Sequence, residues 1–363
     1  MSKPISRLCP GCGETKDFRA DQKTCGCIRT QTAGPVENIR MALRLPRTKS
    51  VTKAAFLAEV VAEGTAEIDR LKEVAKENSR KAVVIRKPKK FSNLASVFNI
   101  TDHHFGKLAW GLETGFANYD VKIATEVFWR AFNALLERTL LFGVPEEIWF
   151  VVGNDLFNAD DTQGRTTAGT QVESDVRYEK THTTVRSLLI DAIEILRGHT
   201  KRVKVIVMPG NHDNHATWCL GDSLECYFHK YSDVEVDNRP CPRKYHAYGI
   251  MAAMITHGDK GRRSDYPLVF AAEQPAMWSA AKHREVLTGH LHYDEVTEYH
   301  GVKVRIMPAL CPPDAWHSEN GFVGNLRSSQ ALIYEREQGL IGTAVYTDDD
   351  LKIEHASKNP EVK

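Results

Sequence analysis

The sequence predicts a layered α/β body with a small cysteine-rich segment at its amino end. Three observations carry that expectation. After residue 93, short apolar runs rich in β-formers alternate with longer helical segments, the pattern of strands and helices packed in layers. Four of the eight cysteines crowd into nineteen residues near the start. Polar residues able to bind metals follow the predicted strands one after another. A length of 363 residues accommodates two domains or three.

Residues 1–30 read as a zinc-ribbon-like segment. Cys9, Cys12, Cys25 and Cys27 offer four thiolates. Tetrahedral zinc takes four such ligands, and a segment this short has no core of its own, so a structural zinc would supply its folding energy. Free or redox-active thiols are the competing reading. Residues 31–92 read as a basic linker and helix. Thr52 can cap a helix reaching about Arg80, and Leu57, Val61, Ile68, Leu71 and Ala75 share one stripe across it. That stripe can pack on the body, on a second copy or on a partner, and the gap at Gly64 favours the body over a coiled coil. Residues 93–363 form the body. Strands are expected at Ala95–Ile100, Glu147–Val152, Val203–Met208, Ile250–Ile255, Val302–Met307 and Ala331–Tyr334, with short strands dominating after Val234. Helices are expected at Val121–Leu141 and Asp175–Arg197.

Charge sharpens this division. The whole chain carries a formal +1, but residues 1–90 hold 20 Lys/Arg against 10 Asp/Glu, which leaves a net −9 for the rest. A basic arm on an acidic body hints at an anionic partner such as nucleic acid, although a solvated tail has the same composition. No run approaches the roughly 18 apolar residues of a membrane span, and the first residues lack the apolar core of a secretory signal. The cysteine pattern is unlike a secreted disulfide framework, which points to a reducing cytoplasm.

Five segments follow predicted strands or come late in the body: Asp102-His103-His104, Gly153-Asn154-Asp155, Gly210-Asn211-His212-Asp213, His257-Gly258-Asp259 and Gly289-His290-Leu291-His292. In an open α/β sheet, sites form beyond the carboxyl ends of the strands, so these loops can meet at one place. His, Asp and an Asn carbonyl are nitrogen and oxygen ligands suited to Mn, Fe, Zn or Ni. A carboxylate bridging two cations makes a centre for phosphoryl chemistry, and an unligated histidine nearby can stabilise charge and protonate a leaving oxygen.

Taken in order, the series resembles the calcineurin-like metallophosphoesterases over roughly residues 94–310. The resemblance implies a layered β-sandwich flanked by helices and a binuclear centre, with Mn as the expected metal. Asp102, His104, Asp155 and His292 would hold one ion. Asp155, Asn211, His257 and His290 would hold the other, with Asp155 bridging and His212 catalytic. Asp213 and Asp259 would orient histidines, and Asn158 stands where the nuclease branch has a helping histidine. Asn154 separates the usual adjacent Gly-Asp pair and is the alternative bridging position. His103 is expected to pack. Gly-Asn-His-Asp, where protein phosphatases have Gly-Asn-His-Glu, leans towards phosphodiesterases and nucleases. Together with Thr166–Thr170 and Pro313–His317, the series is most similar to phage- and prophage-encoded members described as DNA repair exonucleases. A nuclease acting on DNA is therefore expected. A small-molecule phosphodiesterase or phosphatase, and a DNA-binding protein with a relic metal site, are the competing readings. Trp316 and His317 are expected to pack, and Cys219, Cys226, Cys241 and Cys311 to be buried as small apolar residues.

Overall fold

The computed structural model describes residues 5–8, 15–18 and 87–348. The chain divides into two compact units, Met1–Val83 and Val84–Lys363. In the first, β1 (Ile5–Leu8) and β2 (Thr15–Phe18) pair antiparallel, with Ile5 opposite Phe18. The four amino-terminal cysteines and the expected helix at 52–80 lie outside the described residues.

The second unit holds two sheets. The six-stranded sheet comprises β3 (Ser92–Asn99), β4 (Pro145–Gly153), β5 (Arg202–Met208), β6 (Val234–Asp237), β12 (Ser328–Glu335) and β13 (Gly339–Thr347). Its order is β13-β12-β3-β4-β5-β6. The run from β3 to β6 is parallel, and β12 and β13 close one edge antiparallel. The five-stranded sheet comprises β7 (Lys244–Tyr248), β8 (Met251–Ile255), β9 (His283–Thr288), β10 (Glu295–Tyr299) and β11 (Val302–Ile306), in the order β10-β11-β9-β8-β7. Here β8, β9 and β11 run parallel, with an antiparallel strand at each edge.

The alternation of side chains along a strand explains the layers. Phe98, Val205 and Val207 face a core shared with Phe128, Phe132, Leu189 and Leu220. Those residues come from α2 (Val121–Leu140), α3 (Tyr178–Arg197) and α4 (Asn214–Phe228). Their neighbours Val97 and Ile206 face the opposite way, into a core with Met251, Ala253, Ile255 and Leu287 of the second sheet. Ala252, Met254 and Val286 then cover the outer face of that sheet with Tyr266 and Phe270. The order of layers is helix, sheet, sheet, helix, the α/β layering that the sequence predicts. Strands buried on both faces read as continuous apolar runs, which made β3, β4, β5 and β8 legible.

Short strands dominate after Val234, as expected, and two short helices lie among them, α5 (Tyr266–Glu273) and α6 (Pro275–Ala280), each with a proline in its first turn. Two expectations need correction. Trp316 is not a core residue. It sits 59% exposed on α7 (Ala315–Glu319), a five-residue helix. Of the four body cysteines only Cys311 is buried, while Cys226 is exposed and Cys219 and Cys241 are half-buried. One further short helix, α1 (Gly111–Thr114), precedes α2.

Candidate metal centre

Each of the five motifs leaves the carboxyl end of a parallel strand: Asp102 after β3, Asp155 after β4, Asn211 after β5, His257 after β8 and His290 after β9. The first two loops are tied by their backbones. Asp102 N–H donates to the Asn154 carbonyl at 2.7 Å, and His104 N–H donates to that of Asp155 at 3.0 Å. Gly289 N–H donates to the His257 carbonyl at 2.9 Å.

The turns that present these side chains are unusual. Asp102, His104, Asn154, Asp155, His290 and His292 all have φ between 48° and 70°. Among the described residues, only His300 joins them as a non-glycine with positive φ. A left-handed residue other than glycine costs of order 1–2 kcal/mol, and such strain gathers where a site demands it. Two glycines make the close approaches. A Cβ at Gly210 would lie 1.9 Å from Asp155 Oδ1, and one at Gly289 would lie 2.3 Å from Asp102 Oδ2.

The side chains converge in two overlapping groups. Ligand atoms of Asp102, His104 and Asp155 lie within 4.8 Å of one another, as do those of Asp155, His257 and His290. Asp155 belongs to both. His257 Nε2 is 2.9 Å from Asn211 Oδ1 and 3.2 Å from Asp155 Oδ2. His292 Nε2 is 3.3 Å from His104 Nε2 and 3.5 Å from Asp102 Oδ1. Cys311 forms a third such group with His104 and His292. It had been expected only to fill space, and no spacing in the sequence ties it to the motifs.

These residues fit divalent cations. Asp102 and Asp155 are buried, at 0% and 1% exposure. Among the described residues, their ion-pair partners are histidines and not Lys or Arg. Buried carboxylates are costly unless paired or coordinating a metal. Two imidazole nitrogens facing each other at 3.3 Å, with carboxylate and amide oxygens beside them, make a nitrogen and oxygen donor set suited to such ions.

Around this cluster stand supporting groups. Asp155 Oδ1 accepts the backbone N–H of His212 at 2.8 Å. The His212 ring meets that of His104 edge-on at 4.6 Å, and its Nδ1 donates to the Asn158 carbonyl at 2.9 Å. The side chain of Asn158 turns elsewhere, donating to the Glu173 carbonyl at 2.9 Å. Asp213 does not bond a histidine, contrary to expectation. Its carboxylate accepts from Gly210 N–H (2.8 Å), Phe157 N–H (3.0 Å) and Thr217 Oγ1 (2.6 Å), which fixes the turn itself. Asp259 is partly exposed and lies 3.8 Å from Lys260 Nζ. Asn154 is buried with a positive φ, and its Oδ1 has no hydrogen-bond partner. His103 packs as expected, against Phe105, Tyr119 and Phe128, and donates from Nε2 to the Ala124 carbonyl at 2.8 Å.

Burial and charge set the protonation tendencies. Burial drives His104 well below the usual imidazole range, and the charges of His212 and His292 add to it. Burial likewise lowers His103, to about 4. At His257 burial opposes the charge, but Asp155 outweighs it and lifts the group to about 9. Asp155 is held low against its burial by His257 and then His212. Burial, with the nearby charge of Asp155, raises Asp213 to about 7. A cavity of about 520 Å³ opens beside Asn158, walled by Phe105, Phe157, Asp161 and Tyr178.

No protein-family profile matches the sequence, and no curated protein does. The solved structures it is similar to are remote. A single mutant of Vps29 from Entamoeba histolytica is 13% identical, with a TM-score of 0.28 over 70% of this chain and 99% of that one. A novel archaeal phosphodiesterase is 11% identical, with a TM-score of 0.34 over 70% and 99%. A predicted phosphoesterase from Streptococcus pneumoniae TIGR4 is 11% identical, with a TM-score of 0.27 over 70% and 98%. Similarity this distant says nothing about what the chain does, and the function has to be read from its own residues.

Sequence reasoning missed several participants besides Cys311. Asp160 accepts the N–H groups of His215 (2.8 Å) and Ala216 (2.7 Å), anchoring the start of α4 behind His212. Lys107 is 1% exposed and lies 3.2 Å from Asp314 Oδ2. The other oxygen of Asp314 accepts from His317 Nδ1 at 2.6 Å, and the His317 ring lies parallel to that of His292 at 5.7 Å. The segment Pro313–His317 stood out as part of the resemblance, but nothing in the sequence placed it at the centre.

Proposed function

We propose that the chain is a binuclear-metal-dependent phosphodiesterase of the calcineurin-like metallophosphoesterase kind, acting on DNA as a nuclease. The observation that carries the reading is the shared position of buried Asp155, which belongs to both groups of ligand atoms. Asp102, His104, Asp155 and His292 would hold one divalent cation, and Asp155, Asn211, His257 and His290 the other. Such a pair supplies hydroxide at neutral pH and stabilises charge on a phosphoryl group. Mn is the expected metal, with Fe, Zn and Ni also suited to these donors.

The protein's own residues then do three things. The buried loops exclude bulk water from one side of the reacting phosphate. Asp155 fixes the backbone of His212 while facing both ligand groups. His212 donates from Nδ1 to the Asn158 carbonyl, so its Nε2 is the atom that holds or releases a proton. Protonated, that nitrogen can stabilise phosphoryl charge and protonate the departing oxygen.

DNA as substrate is supported by the basic composition of residues 1–90 and by Gly-Asn-His-Asp at 210–213. The similarity to phage-encoded exonucleases noted above points the same way. The test is hydrolysis of bis(p-nitrophenyl) phosphate and of DNA with Mn²⁺. Turnover of both is expected, and full activity in Asp155→Ala or His212→Ala would sink the reading. Turnover of the small diester but not of DNA would leave a small-molecule phosphodiesterase.

A further inference from the structure

The surface beside the centre carries aromatic rings that the fold does not use. Trp316 is 59% exposed and Phe322 58%, and their rings stack at 5.6 Å with an interplanar angle of 24°. His317 connects them to the site. Its ring meets Trp316 edge-on at 5.1 Å and lies parallel to ligand-candidate His292 at 5.7 Å. The mount is stiff for so short a helix. Asp314 accepts from both the backbone N–H of His317 (2.9 Å) and its Nδ1 (2.6 Å), and it is held in turn by buried Lys107. Phe322 N–H donates to the His317 carbonyl at 2.8 Å.

The two rings adjoin, and an exposed apolar patch beside a site marks a binding surface in a way that a lone exposed residue does not. Every nucleobase has a π-face that stacks on such rings whatever its sequence, and a base inside a duplex is not free to do so. The rings continue directly from the centre, so the chain that places a phosphate there is the occupant they suit best. We infer that Trp316 and Phe322 form a platform for an unpaired nucleobase next to the scissile phosphate, making single-stranded or frayed nucleic acid the favoured substrate. The inference rests on the phosphodiesterase reading above.

The test uses the full-length, Mn²⁺-loaded protein. It compares kcat/KM on a single-stranded oligothymidylate with that on an oligomer of equal length carrying abasic sugars, with bis(p-nitrophenyl) phosphate as the check on the centre. Stacking one base on an aromatic ring is worth a factor of roughly 5 to 150. Trp316→Ala and Phe322→Ala are expected to lose a factor in that range on oligothymidylate and to stay within about twofold on the abasic oligomer. Trp316→Phe should keep most of the preference. Quenching of tryptophan fluorescence by oligothymidylate in the Mn²⁺-loaded His212→Ala protein, which is expected to turn over slowly, reduced when Trp316→Phe is added, is the matching binding signal. Equal losses on both oligomers, or none, overturn the platform while leaving the centre intact. No turnover of the small diester by the wild type overturns the phosphodiesterase reading and the platform with it. A dimer in sedimentation that Trp316→Ala abolishes overturns it in favour of a second copy of the chain.

Discussion

His212 and Asn158 show how a side chain and a backbone atom divide one task. The sequence places Asn158 where the nuclease branch it resembles has a helping histidine, which leaves the part played by the asparagine open. In the structure its carbonyl, which any residue has, accepts from His212 Nδ1, and its side chain turns to the Glu173 carbonyl. Asn158→Ala is therefore expected to change kcat by no more than about threefold, and to cost about 1 kcal/mol of stability for the lost bond to Glu173. His212→Ala should lower kcat by roughly 10²- to 10⁴-fold with bound metal unchanged. Steady-state kinetics together with metal analysis of both variants checks the pair, and a large loss in Asn158→Ala would assign a role to its side chain. The ligand types were legible at this scale because His, Asp and Asn in strand-following loops have few other uses. Cys311 and Lys107 were not legible, because single residues more than 200 positions apart in the chain carry no periodic signal.

Two of the three long helices among the described residues were legible, while α4, fifteen residues long with Ala216, Leu220, Leu224 and Phe228 buried along one stripe, was not expected. Helix α2 was expected over Val121–Leu141 and spans Val121–Leu140, with Phe128, Phe132 and Leu135 buried along one face. Its start is fixed by Asp120, whose side chain accepts from Ile123 N–H at 2.7 Å. Asp120→Ala is expected to cost about 1 kcal/mol, read as a lower urea midpoint at constant slope. Helix α3 begins at Tyr178 and not at Asp175. Asp175 is held instead by its N–H to the Gly106 carbonyl and by its side chain to Val121 N–H, long-range bonds that no local pattern announces. Helix α7 was missed altogether, since five residues give no periodicity to detect.

For the molecule as a whole, acid stability depends on charge pairs such as those that join an edge strand of one sheet to an edge strand of the other. Asp237, at the end of β6, is buried, which opposes its ionisation. Arg239, His246 and Lys244 outweigh that and hold the carboxyl far below the usual 3.8. A depressed carboxyl binds fewer protons folded than unfolded, so its contribution is present above about pH 4 and is lost as the pH falls further. Asp237→Asn should be less stable than wild type at pH 7. The difference should shrink as the pH is lowered towards 2, as measured by urea midpoints across that range. A difference that stayed constant with pH would assign the loss to packing.

The sequence by itself determined the α/β layering and the chemistry of the five motifs, because both are local. Burial on two faces writes apolar runs, and metal-ligand types stand directly after them. Only the tertiary structure decided what those residues meet. It places Asp155 in both ligand groups, gives the hold on His212 to a carbonyl, commits Asp213 to backbone amides, and brings Trp316 and His317 to the rim of the centre when packing had been expected. Each of these depends on contacts between segments far apart in the chain, which arise from the register of two sheets and leave no trace in residue spacing.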